Sequence, residues 1–210
     1  MHSLFKTCTI FILLFSAQTA ISKDYIVEMI FFANTNTSTE SVHISNQAVF
    51  PDLGGAITLR PGSQSNGFIP LTSDTYTLSG KANALNKSGK YRVLKHMSWL
   101  QPGLAKEDAI AVRVHAGKNY KDEFSERSFS NQPTNELDGT VKIVLGRYLH
   151  LYTDLAYRKT FSVSSADALG RGRVLADFPV KTHRKMRSST LHYIDHPYLG
   201  ILIEIRPVGE

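Results

Sequence analysis

The chain contains very little cysteine: of its 210 residues only Cys8 carries a thiol. A disulfide needs two cysteines, so no intramolecular disulfide can hold this fold together. Four-cysteine zinc sites and iron–sulfur clusters need several thiolates and are excluded as well. The stability of the folded protein must therefore come from a packed core.

Signatures of several enzyme classes are also missing beyond residue 22. That part of the sequence has no Gly-x-Ser-x-Gly elbow, no His-Glu-x-x-His motif and no Ser-x-x-Lys motif of penicillin-binding enzymes. It also lacks an apolar run of about 20 residues, the length that a membrane-spanning helix needs. We therefore expect a protein that is not an enzyme and that is soluble or peripheral to a membrane.

The first 22 residues have the pattern of a secretory leader. Lys6 is the only charged residue before Lys23, and an apolar run extends from residue 10 to residue 15. Ala20 and Ser22 supply the small residues that precede a cleavage site. We expect residues 1–22 to be removed, although an uncleaved N-terminal anchor is the alternative. Residues 23–210 would then form one domain without cysteine.

The remaining pattern favours an α+β fold: an antiparallel sheet, a helix packed on one face and long irregular loops. Apolar residues at a helical period predict one helix from about Asn83 to Leu100. Alternation predicts a long strand over Val141–Arg158, with a bend or bulge near Gly146. Further strands are predicted at Tyr25–Phe32, Ala109–His115, Arg173–Met186 and Leu199–Ile205.

Basic residues are concentrated in one late stretch. Residues 171–187 contain six basic side chains and a single acid, Asp177, whereas the whole chain has a formal charge of +6. Such a local field attracts polyanions. Outside the cytoplasm, cell-wall carboxylates and lipid phosphates are better candidates than nucleic acid, and a solvated strand face with counterions is the alternative.

Tyr148, His150 and Tyr152 would project side by side from one face of the predicted strand. Aromatic rings with a hydrogen-bonding imidazole among them suit the apolar faces and hydroxyl groups of a sugar. The alternative is that this face packs beneath the helix. Arg147 falls on the apolar face, where an unpaired charge is costly, so we expect an ion pair with Glu28 or with a ligand carboxylate.

The segment from His192 to Pro197 places two histidines and an acid close together: His192, Asp195 and His196. A metal site or a hydrolase site is conceivable, but no second cluster has metal-ligand spacing and no nucleophile accompanies it. A turn in which Asp195 caps backbone N–H groups is favoured. We therefore expect no metal and no cofactor.

Two strings carry a resemblance to a known family. They are Leu-Asp-Gly-Thr at 137–140 followed by Leu-Gly-Arg-Tyr-Leu-His-Leu at 145–151, and Met-Arg-Ser at 186–188 followed by Leu-His-Tyr and Asp-His-Pro at 191–197. With the opening strand and residues 91–103, they resemble the CsiV family of periplasmic peptidoglycan-binding proteins of Gram-negative bacteria. Residues 33–67 and 104–136 match only loosely.

The resemblance implies a non-enzymatic periplasmic protein that binds peptidoglycan. It also implies support of a class A penicillin-binding protein together with its outer-membrane lipoprotein activator. An envelope hydrolase and a protein-only adaptor are the alternatives. The resemblance identifies no site residue, so the expected ligand-binding set rests on residue chemistry, with Arg184 and Arg187 meeting stem-peptide carboxylates. The full set is Tyr148, His150, Tyr152, Arg184, Arg187, His192, Tyr193 and His196.

Cleavage should occur before Lys23, because Ala20 and Ser22 provide the small residues that signal peptidases require. The intact mass of the exported protein checks this prediction. A mass that still includes Met1 would contradict it.

Overall fold

The computed structural model describes residues 23–36, 47–162 and 172–209, so the predicted leader lies outside the described residues. Strands make up 52% of these residues and helices 10%. The strands are β1 Asp24–Asn34, β2 Ile69–Pro70, β3 Tyr91–Pro102, β4 Ala111–Asn119, β5 Asn135–Leu145, β6 Leu149–Ser162, β7 Arg173–Met186, β8 His192–Ile194 and β9 Leu199–Pro207. The α-helices are α1 Ser79–Lys87 and α2 Ser125–Phe129, and Ser73–Thr75 forms a 3-10 turn.

The predicted antiparallel architecture is confirmed, but the protein is richer in β-structure than an α+β fold with one sheet. One sheet has the order β2-β3-β1-β9-β8, and the other has the order β4-β5-β6-β7. The helix on the face of the sheet is short: α1 has nine residues and buries only Ala82. No described helix is long and apolar enough to cross a membrane.

Strand β1 lies at the centre of the five-stranded sheet, as its apolar sequence indicates. It pairs antiparallel with β3 on one side and with β9 on the other, and Val27 faces both Trp99 and Ile205. Alternation sends Val27, Met29 and Phe31 into the core between the sheets. The intervening residues Ile30 and Phe32 pack beneath α1.

The two sheets share one hydrophobic core. Trp99 and Phe31 of the first sheet belong to the same buried cluster as Val141, Leu151 and Leu155 of the second. All five side chains are at most 1% exposed. Burying a large apolar side chain contributes about 1.5–3 kcal/mol, so this shared layer supplies the stability that a chain without disulfides needs.

The long strand predicted over Val141–Arg158 is two strands joined by a tight hairpin. β5 ends at Leu145, β6 begins at Leu149, and the N–H of Gly146 donates to the carbonyl of Tyr148. Ile143 lies opposite Leu151. The apolar alternation therefore continues through the turn, which is why the sequence resembles one bent strand.

The predicted helix from Asn83 to Leu100 is correct only as far as Lys87 and is wrong beyond it. α1 ends at Lys87, Gly89 adopts a φ of 69°, and the chain then enters β3. A left-handed φ favours glycine and ends a helix. Pairing with β1 then decides the structure of residues 91–102, where Met97 and Trp99 alternate into the core.

Glu28 is fully buried on the α1 side of the sheet and binds groups from three distant segments. The backbone N–H groups of Thr77 and Leu78 donate to it at 3.0 and 2.8 Å. His96 Nε2 lies 2.9 Å from its Oε1, and Arg206 lies 3.3 Å from its Oε2. Burial by itself raises the pKa of Glu28, but these hydrogen bonds outweigh burial and lower it.

The expected ion pair between Glu28 and Arg147 is therefore wrong. Arg147 lies exposed in the hairpin turn, with its guanidinium 5.7 Å from the Tyr148 ring centroid. The turn takes Arg147 off the apolar face, so its charge needs no buried partner. Arg206 of β9, opposite Ile26 of β1, is the cation that reaches Glu28.

Glu28→Gln should destabilise the protein by about 3 kcal/mol, because breaking a buried ion pair from one side leaves the remaining buried groups unpaired. Urea unfolding measures the change. Glu107→Gln is the matched control, because Glu107 lies exposed in a loop, and it should change stability by less than about 0.5 kcal/mol.

Stability should also depend on pH through this carboxylate. Because the folded pKa lies below the ordinary value of 4.5, the unfolded chain takes up the proton first. The contribution of Glu28 is fully present above that value and is lost as pH falls through the folded pKa. The parent protein should therefore lose more stability than Glu28→Gln as pH falls below 4.5. Equal losses in the two proteins would contradict the assignment.

Candidate functional site

The outer face of the four-stranded sheet carries the predicted aromatic row. Leu149 and Leu151 of β6 face the core, so His150 and Tyr152 project to the other side. Tyr148 stands next to them in the hairpin turn and is 42% exposed. α1 packs on the other sheet, and α2 meets this face through Arg127, which binds Asp177 at the far end of β7 from Lys185. The alternative that this row packs beneath the helix is wrong.

The neighbouring strands extend the row with basic groups. Tyr152 lies between Lys142 of β5 and His183 of β7, and His150 lies opposite Lys185. The rings of Tyr152 and His183 stack with centroids 4.3 Å apart and planes only 2° apart. His150 Nδ1 lies 3.0 Å from His183 Nε2, so one imidazole donates to the other.

Only part of the basic charge of residues 171–187 is available to a ligand. Asp177 binds both Arg127 and Arg158, while Arg173 pairs with Glu123 and Lys181 with Asp154. Arg171 lies outside the described residues, and the three cations that remain at the end of β7 contact no carboxylate of the described residues. They are Arg184, Lys185 and Arg187, all exposed.

A groove forms where the β5–β6 hairpin meets the end of β7. One cavity of about 480 Å³ is lined by Tyr148, Lys185, Met186, Arg187, Thr190 and His192. A second cavity of about 450 Å³ adds Tyr25, Leu145, Arg147, Leu149 and Ser188, and it shares Tyr148, Met186, Arg187 and Thr190 with the first. We call the two together the hairpin groove.

The hairpin groove is cationic and aromatic. Lys185 Nζ lies 3.3 Å from the ring centroid of Tyr148, and Arg147 lies on the same ring at 5.7 Å. Such cation–π contacts hold the two charges and the exposed ring at one place. Arg187 adds a third charge, and no carboxylate of the described chain lines either cavity. An anionic ligand with an apolar surface would match this lining.

Three of the eight predicted residues, Tyr148, Arg187 and His192, line the hairpin groove. His150 and Tyr152 continue from it along the outer face of the sheet. Arg184 lies opposite core-facing Leu151 and projects to the other side of β7 from Lys185. The basic strand therefore does not present its charges on a single face.

Tyr193 and His196 lie elsewhere. Tyr193 stacks on Phe32, on the α1 side of the other sheet, and its hydroxyl donates to Asp195 at 2.7 Å. Burial and the Asp195 carboxylate together raise the pKa of Tyr193. His196 accepts a hydrogen bond from the backbone N–H of Tyr198 at 3.3 Å, and burial lowers its pKa. Tyr193 lies in β8 and His196 in the loop that follows it, so neither shares a surface with Tyr148.

The groups of the His192 segment are engaged separately. His192 accepts a hydrogen bond from the backbone N–H of Arg187. Asp195 accepts one from the hydroxyl of Tyr193, and His196 accepts one from the backbone N–H of Tyr198. Across the described residues there is no group of three or more His, Cys, Asp or Glu side chains placed to hold a metal. Nothing in this geometry brings His192, Asp195 and His196 to one point.

Lys142, His183 and Lys185 are the functional candidates that sequence reasoning missed. The signal for the last two was available: in the string Lys-Thr-His-Arg-Lys at 181–185, every second residue shares a face of the strand. Pairing Arg173–Met186 with Val141–Arg158 in register would have placed His183 beside Tyr152. Lys142 required the position of the hairpin turn.

Incubation with EDTA should leave the melting temperature of the protein unchanged, because no described ligand cluster can stabilise the fold by binding a metal. Calorimetry before and after chelation checks this. A fall of several degrees that zinc reverses would instead show a metal bound in the native state.

Comparison with known proteins agrees with the resemblance carried by the two sequence strings. No curated protein and no solved structure matches this chain. The profile of one family, described as peptidoglycan-binding protein CsiV, matches residues 3–208. Because this match covers nearly the whole chain, the protein belongs to the CsiV family.

Proposed function

We propose that this chain is a non-enzymatic periplasmic protein that binds peptidoglycan through the hairpin groove and the adjoining face of β6. Membership of the CsiV family supports peptidoglycan as the ligand, and the lining of the groove supports this surface as the binding site. The observation that carries the proposal is the set of cations around Tyr148: Arg147, Lys185 and Arg187 meet no carboxylate of the described residues.

The three cations suit the peptide stems of the cell wall. Stem peptides carry free carboxylates, and an arginine can bind a carboxylate with two parallel hydrogen bonds. Each exposed ion pair contributes only about 0–1 kcal/mol, so one contact would not retain the protein on the wall. Several contacts within one groove add up, and they give binding a strong dependence on salt.

The aromatic row suits the glycan strand. Tyr148 presents an exposed ring at the mouth of the groove, and Tyr152, stacked on His183, continues the surface along β6. An aromatic ring offers a flat apolar surface together with a polar hydroxyl, which matches the face of a sugar ring and its substituents. A groove that carries both chemistries would bind where a stem leaves the glycan.

Binding without hydrolysis is the second part of the proposal. The polar groups of residues 192–196 each have a separate partner. The groove lining contains the hydroxyl groups of Ser188 and Thr190 and the imidazole of His192. His192 Nε2 accepts from the backbone N–H of Arg187 at 3.2 Å, and no carboxylate of the described residues lines the groove to orient the imidazole as a base. Purified sacculi incubated with the protein should therefore release no soluble muropeptides. Their release would establish the hydrolase alternative.

We further propose that the wall-bound protein supports a class A penicillin-binding protein and its outer-membrane lipoprotein activator. This part rests on family membership alone. The same membership and the leader predicted at residues 1–22 support a periplasmic location. Peptidoglycan synthesis by the purified synthase and activator, measured with and without this chain, tests it. An unchanged rate of synthesis would contradict the proposed support of the synthase but would not affect the proposal of wall binding.

The double substitution Lys185→Glu and Arg187→Glu should lower retention on purified sacculi at least tenfold at low salt. It replaces two attractive contacts of the hairpin groove with repulsive ones, and a tenfold change corresponds to about 1.4 kcal/mol. Both residues are exposed, so circular dichroism should show an unchanged fold. Co-sedimentation with sacculi measures the bound fraction.

The matched control is Lys106→Glu with Lys121→Glu, which changes the net charge equally at exposed positions outside the groove. It should retain most of the binding. Arg184→Glu should have a smaller effect than Arg187→Glu, because Arg184 projects from the other side of β7. If the groove variant and the control lose retention equally, only the overall charge matters. If neither loses retention, the hairpin groove is not the binding site.

A further inference from the structure

The edge of the five-stranded sheet beside β3 is only partly covered. β2 pairs Ile69 with Leu100 and Pro70 with Trp99, and the N–H of Leu71 donates to the carbonyl of Ser98 at 2.9 Å. The chain then leaves the sheet into the 3-10 turn. Among the described residues no strand continues along this side of β3. An open edge of this kind presents backbone donors and acceptors to an incoming chain.

A cavity occupies the position that a longer β2 would fill. It measures about 420 Å³, within the range typical of ligand sites. Its floor is β3 from Lys95 to Ser98, and its walls are the segments that precede and follow β2. They contribute Leu59, Pro61, Gly62, Pro70, Leu71, Thr72, Ser73 and Tyr76. We call this cavity the β3 slot.

The backbone at the floor of the β3 slot points into the open space. Along an antiparallel strand every second residue directs its N–H and C=O to the same side. Since Ser98 directs its carbonyl to Leu71, the next groups on that side belong to His96. The Tyr76 ring lies 4.5 Å from the His96 ring and forms a wall beside them.

Lys95 lines the same cavity and lies opposite core-facing Phe31, so its side chain leaves β3 on the other face from that of His96. Lys95 is half-buried, and burial lowers its pKa. Within the part of the chain that the structure describes, Lys95 contacts no carboxylate. Glu28, behind His96, is already engaged by Arg206 and by the backbone of residues 77 and 78. Asp74 stands at the rim and is held by the Thr72 hydroxyl and its own backbone.

We propose that the β3 slot binds an extended acidic peptide, which adds as a strand beside His96 and places a carboxylate on Lys95. Backbone hydrogen bonds to β3 would supply affinity, and the apolar walls together with the lysine would supply specificity. The ligand is a polypeptide rather than the cell wall. The slot shares no lining residue with the hairpin groove, so one protein could hold both at once.

A fluorescein-labelled pentapeptide of alternating threonine and valine that ends in glutamate tests this inference by fluorescence anisotropy. The parent protein should bind it, and Lys95→Gln should weaken binding about tenfold, the effect of losing a hydrogen bond between charged groups. Lys90→Gln is the matched control, because Lys90 is exposed in the turn before β3, and it should bind as the parent does. The same peptide with N-methylated backbone amides should not bind, because it cannot form the ladder.

Backbone amide chemical shifts provide the second measurement. Addition of the peptide should move the amide signals of residues 95–98, and those of the hairpin groove should stay in place. No binding, equal binding to Lys95→Gln or equal binding of the N-methylated peptide would overturn the inference. Retention of Lys95→Gln on sacculi should equal that of the parent, so failure of this inference is distinguishable from failure of wall binding.

Discussion

The buried carboxylate of Glu28 ties together parts of the chain that are far apart in sequence. It lies on the central strand β1 and binds the residues before α1, the imidazole of His96 on β3 and the guanidinium of Arg206 on β9. A charge at the centre of a sheet is costly unless every partner is in place. The carboxylate therefore selects the one arrangement in which helix and both neighbouring strands meet it.

The four-stranded sheet contributes apolar side chains to the shared core on one face and exposes charged side chains on the other. Alternation along β6 lets the same strand place Leu151 and Leu155 in the core and His150 and Tyr152 on the surface. Ion pairs then neutralise Arg173 and Lys181 of the basic stretch. What remains is concentrated around Tyr148, where the hairpin turn brings Arg147 and Lys185 to one ring. Local geometry, rather than net charge, defines the surface proposed to bind the cell wall.

The elements that sequence reasoning identified correctly are those in which local pattern and tertiary environment agree. β1 has a continuous apolar sequence because both of its faces are buried. In β9 apolar and polar residues alternate because only one of its faces is fully buried. Residues 91–100 show the opposite case. Their apolar spacing suits a helix, but their pairing with β1 fills the sheet and packs Trp99 in the core. Pairing with a distant strand overrode the local helical preference. A short window of sequence contains no information about that pairing, so the sequence could not predict it.

By itself the sequence determined that the fold rests on a packed core, that its strands are antiparallel, and that aromatic and basic residues share its last third. Composition and alternation carry that information because they depend only on neighbouring residues. The tertiary structure alone decided that two sheets form, that Arg206 rather than Arg147 neutralises Glu28, and that Lys185 rather than Arg184 joins Tyr148. Each of these outcomes depends on strand register and on the place of one turn. A shift of a single residue exchanges the two faces of a strand, so the membership of the site could not be known before the pairing.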